Sequence, residues 1–157
     1  MSVPEGPADL VGEWRGTSKL WLSPDEPVRE SDTTASVTLA AQGKFITIAY
    51  TWSYEGDPQD GLIVLSREAK GNAVKAAWID SWHMGDSMMM CEGGAVEDGA
   101  ISVRGSYAAP PGPDWGWRIV VEAGDAGEED AFEVIMYNIT PDGDEHLAVR
   151  GTYAREK

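Results

Sequence analysis

The chain has 157 residues, 42% of them hydrophobic and 25% charged, as expected for one domain, 1–157, with a substantial core. Its formal net charge of −15, from 27 Asp and Glu against 12 Lys and Arg, suits neither nucleic acid nor an anionic membrane, since both need clustered cations. The single cysteine, Cys91, allows no intrachain disulfide, the start lacks a secretory pattern, and no apolar stretch nears the roughly 20 residues that span a bilayer; a cytoplasmic location is expected.

Turn residues then divide the chain at short, even intervals, and the segments between them are rich in Val, Ile, Thr, Tyr and Trp, as strands are. After a short helical turn at PADLV (7–11), the first strand is expected near 11–22. SPDEPVRESD (23–32) reads as a surface loop over one mouth, and a second strand follows at 33–41. Past the QGK turn (42–44), the strand at 44–54 alternates: Ile46, Ile48, Tyr50, Trp52 and Tyr54 share one face, opposite Thr47, Ala49, Thr51 and Ser53. EGDPQDG (55–61) reads as a turn before a strand at 61–69, and KGN (70–72) as the next turn. The strand at 73–83 places Val74, Ala76, Trp78, Asp80 and Trp82 on one face, with Ile79, Ser81 and His83 on the other. Strands at 87–92 and 99–108 flank the EDG turn (97–99). PPGPDWG (110–116) leads into a strand at 115–123, with Trp115, Trp117, Ile119 and Val121 on one side. GDAGEED (124–130) and PDGDE (141–145) then bracket strands at 130–140 and 145–154.

Ten short-linked strands without a helix-length 3.6-residue period leave no room for parallel crossovers. A meander of that length exposes two edges unless it closes, so the expected fold is all-β, a single up-and-down antiparallel β-barrel of about ten strands. A two-sheet sandwich of the same strands is the alternative. Ten strands make a bore wider than side chains simply fill, so an enclosed cavity is expected.

The first strand begins GEWRG, and its Gly12 and Trp14 resemble the G-x-W pattern of lipocalins and other calycin-type barrels. That resemblance implies a Trp sealing the closed end, crossed by a basic residue of the last strand, HLAVRGTYAR: Arg150 first, Arg155 second. From GEWRG through WIDSWH, GPDWGW and YNITPDG to GTYAR, the chain resembles a bacterial family of calycin-like barrels without assigned activity. Gly12, Trp14 and Gly16 are also similar to the G-x-W-x-G start of the haem-binding nitrobindins, which would point to His146 as the counterpart of their axial histidine.

The stretch WIDSWHMGDSMMMCEG (78–93) carries the most chemistry. Its tryptophan face should be interior, which takes Asp80 inside, where a carboxylate must be hydrogen-bonded, paired or protonated. Tyr50, Tyr107 or an arginine could satisfy it. Asp80 then either anchors a polar or cationic group of a ligand, acts as a base, or makes a structural bond between strands. His83 is expected at the rim, with no metal-ligand spacing around it. Met88 and Met90 are expected to point into the lumen as adaptable apolar surface. The expected lining is Trp52, Trp78, Asp80, Trp82, His83, Met88, Met90, Tyr107, Trp117, Met136 and Asn138. The leading functional expectation is a barrel binding a small apolar or aromatic ligand, with no cofactor, no metal and no catalytic residues. Two alternatives stay open: an enzyme using Asp80 and His83 as an acid–base pair, and a filled barrel acting by assembly, for which a homodimer would serve.

Overall fold

The structure, a computed structural model, describes residues 10–66, 73–95, 100–123 and 131–156. Among these residues there are ten strands: β1 Gly12–Leu20, β2 Arg29–Ala40, β3 Phe45–Tyr54, β4 Asp57–Ser66, β5 Ala73–Asp80, β6 Met89–Ala95, β7 Ile101–Tyr107, β8 Trp115–Ala123, β9 Ala131–Ile139 and β10 Glu145–Arg155. Each pairs antiparallel with its neighbours in sequence, and β1 pairs with β10, closing the barrel. The sandwich is thereby excluded. The turns expected at 70–72, 97–99 and 124–130, and most of the helical turn at 7–11, lie outside the described residues.

Three boundaries differ from expectation for identifiable reasons. The β3–β4 link needs only Glu55 and Gly56, both at positive φ, so Asp57–Asp60 are already strand. β2 starts at Arg29 because its polar first residues pair with Ser18–Leu20 of β1. β5 ends at Asp80, three residues early, where a turn of the chain begins.

The two ends of the barrel differ. At the end where β1 begins, the interior is solid: Trp14, Val37, Ile46, Ile48, Leu65, Val121 and Phe132 are all essentially inaccessible. Trp14 meets Phe132 edge-on at 4.7 Å, and its Nε1 donates to the Leu10 carbonyl at 2.7 Å. The guanidinium that crosses the indole belongs to Arg155, 4.3 Å from the ring, and not to Arg150. Register decides this: Trp14 faces Arg155 across the β1–β10 pair, whereas Arg150 faces Lys19 and turns outward to Glu133. Gly12 suits this position, because its φ of 141° is one that residues with a side chain rarely adopt.

The expectation of one enclosed cavity also needs correction. The bulky interior side chains leave a mid-barrel void of only about 20 Å³, room for about one water. The real space lies at the opposite end. It follows that Arg155→Ala costs about 1 kcal/mol of stability through the lost cation–π contact, while Arg150→Ala stays within about 0.5 kcal/mol. Urea denaturation midpoints measure the difference.

Candidate functional site

The open end is built where β1, β5, β7 and β9 finish and where β6, β8 and β10 start. There a cavity of about 540 Å³ is walled by Trp21, Trp78, Trp82, His83, Tyr107 and Trp117, with Leu20, Leu22, Met84, Met88 and Met89 between them. Asn138, Ser87 and Ser106 supply polar points. Trp78 and Trp117 stack at 5.3 Å with their planes 9° apart.

Beneath this cavity sits Asp80, 3% exposed. Its Oδ2 accepts from the Tyr50 hydroxyl at 2.6 Å and from Trp52 Nε1 at 3.2 Å. Its Oδ1 accepts from the backbone N–H groups of Trp82 and His83, both at 2.8 Å. Four bonds occupy the acceptor capacity of a carboxylate, so Asp80 has none left for a substrate proton. Tyr50 in turn accepts from Trp78 Nε1 at 2.8 Å. Gly61 makes this possible: it lies between Tyr50 and Asp80 in register, and a Cβ there would collide with the phenol. Burial, reinforced by the Asp80 charge and hydrogen bond, pushes the Tyr50 phenol well above its ordinary 10.0.

His83 is not at the rim. Because β5 stops at Asp80 and the chain turns, the strand alternation lapses, and both Trp82 and His83 come over the bore. The imidazole lies 5.5 Å from Trp52 and from Trp117, 5.6 Å from Trp78 and 4.8 Å from Trp82, and it separates the mouth cavity from the small void below. Desolvation lowers its pKa from the ordinary 6.5, against an opposing pull from Asp80. Asp80 touches its backbone N–H, not its ring, so the two are not an acid–base pair.

The expected lining residues separate into three groups. Trp78, Trp82, His83, Tyr107, Trp117 and Asn138 wall the mouth cavity, and Tyr107 donates to Asn138 Oδ1 at 2.6 Å. Trp52, Asp80 and Met136 border the void beneath. Met88, which precedes β6, also lines the mouth cavity although 63% exposed, whereas Met90 is the error: it points outward, 64% exposed. Met89 and Cys91 face inward instead, because Met89 pairs with Trp78 and Cys91 with Ala76, and cross-strand partners share a face. Burial pushes the Cys91 thiol up to about 11, which makes it a packed, unreactive group. His146 faces Asn138 across the β9–β10 pair and lines neither space. Trp21, Leu22, Met84 and Ala148 were missed; Trp21 and Leu22, next to the first long loop, were the legible pair.

Among the described residues no cluster of three or more His, Cys, Asp or Glu could hold a metal ion, and no helix is long and apolar enough to cross a membrane. The Trp117 indole N–H is buried without an acceptor.

Residues 8–155 match a family described as protein of unknown function (DUF1579). No curated protein matches the chain. Among solved structures, Rv2717c from M. tuberculosis is similar over 100% of both chains at 12% identity, with a TM-score of 0.62, a likeness of fold alone. A protein of unknown function from the DUF3598 family of Nostoc punctiforme is 13% identical over 95% of this chain and 48% of its own, with a TM-score of 0.40.

Asp80→Ala strands one phenol, one indole and two backbone donors, and is expected to cost about 3 kcal/mol or more by denaturant titration. Desolvation among its ring partners favours the neutral form of His83, so the unfolded chain binds the proton more readily. Its contribution is complete above pH 6.5 and is lost as pH falls through its lowered folded pKa. His83→Gln should flatten that part of the stability–pH curve.

Proposed function

The chain belongs to the DUF1579 family of unknown function, and we propose that it binds a small, flat, apolar or aromatic molecule in the open end of the barrel. The observation that supports this reading is the cavity itself: about 540 Å³ within the size range of small-molecule sites, with mostly aromatic and thioether walls and few polar points. Trp78 and Trp117 offer a pre-stacked floor. Met84, Met88 and Met89 supply side chains that adapt to irregular shapes. The Asn138 side chain would orient a polar edge of the guest.

The enzyme reading loses support, because the Asp80 carboxylate is saturated by structural donors. Self-association is favoured by a different observation. On the outer face of β4–β6, Leu62 lies opposite Ile79, Val64 opposite Ala77, and Ala77 opposite Met90, which makes an apolar stripe with Ile79 and Met90 exposed. A second copy could bury it as a homodimer.

The cavity reading is tested with the neutral dye N-phenyl-1-naphthylamine. Its fluorescence should rise to a one-to-one end point with the native protein and not with Asn138→Trp, whose side chain shares the inward face with Trp117 and would occupy the cavity. Equal response from a folded Asn138→Trp protein would refute the site. For the second reading, sedimentation should show a dimer that Met90→Lys converts to monomer, and a native monomer would dismiss it.

A further inference from the structure

Resting on that reading, we infer that the cavity selects organic cations, such as a flat aromatic bearing a quaternary ammonium, over anions of the same shape. Its lining includes five aromatic side chains, Trp21, Trp78, Trp82, Trp117 and Tyr107. A ring face is the negative part of the aromatic quadrupole, so it attracts a cation and repels an anion. Among the described residues lining the cavity there is no Asp, Glu, Lys or Arg, so an entering anion meets no counter-charge. His83, neutral among its ring partners, adds no positive charge.

The connections around the mouth have one sign. The five connections at this end, 21–28, 55–56, 81–88, 108–114 and 140–144, carry Asp25, Glu26, Glu55, Asp86, Asp114, Asp142 and Asp144, and no Lys or Arg. On the adjoining strands Arg29 is paired with Glu55 at 2.6 Å, Arg118 with Glu145 at 2.8 Å and Arg150 with Glu133 at 3.7 Å. A concave, low-dielectric opening ringed by carboxylates focuses the field and concentrates cations at the mouth. The carboxylates attract and the rings hold, with no buried salt bridge needed.

Three naphthalene probes of matched shape test this by titration calorimetry: 2-naphthyltrimethylammonium, 2-naphthalenesulfonate and neutral 2-naphthalenemethanol. The ammonium should bind at least about tenfold more tightly than the sulfonate at low salt, and the gap should narrow in about 0.5 M salt. Combining Asp86→Asn, Asp142→Asn and Asp144→Asn, all at exposed positions, should also narrow it at low salt. An equal or reversed preference, or one indifferent to the triple substitution, overturns the inference; if the alcohol still binds, the cavity reading survives that result. Failure of all three probes to bind overturns both.

Discussion

One buried carboxylate organises the open end of this barrel. Removing Asp80 from water is costly, and the molecule offsets that cost with four donors from two places: Tyr50 and Trp52 on β3, and two backbone N–H groups just past β5. The last two matter most for the site. By capping the N–H groups of Trp82 and His83, Asp80 ends its own strand and folds the following turn inward, which sets an indole and an imidazole over the bore. Through the Tyr50 hydroxyl the same charge also orients Trp78, the floor of the cavity. A polar core residue thus fixes the positions of apolar walls.

The rest of the barrel is arranged in contrast. At the closed end Trp14 is fastened on several sides, by Leu10, Phe132 and Arg155, and aliphatic side chains fill the space above it. At the open end Trp78 stacks on Trp117 and His83 packs against both, and a cavity of about 540 Å³ remains beside them. His83 marks the boundary, touching both the large cavity and the small void.

Much of the fold was legible because period-two alternation is a strong signal over eight to ten residues. Tyr50, Trp52, Trp78, Asp80 and Trp117 were assigned to the interior from it, and they are there. It fails within a residue or two of a strand end. His83 was placed by extending β5 past the residue that terminates it, a capping event invisible to alternation. Met90 fails for a different reason, the parity of a short strand: MMMC reads equally well in both, and only the pairing of Met89 with Trp78 and of Cys91 with Ala76 decides. Arg150 and Arg155 differ by five residues, an odd number that puts them on opposite faces, and register with Trp14 selects the second. The seven Trp announced a large aromatic interior but not its division into a solid end and a hollow one.

That division can be read directly from the indole N–H resonances of ¹⁵N-labelled protein, assigned by single Trp→Phe substitution, as N-phenyl-1-naphthylamine is added. Shifts confined to Trp21, Trp78, Trp82 and Trp117, with Trp14 unmoved, are the expected pattern. Displacement of the Trp14 signal, or no response at the four mouth residues, would contradict it.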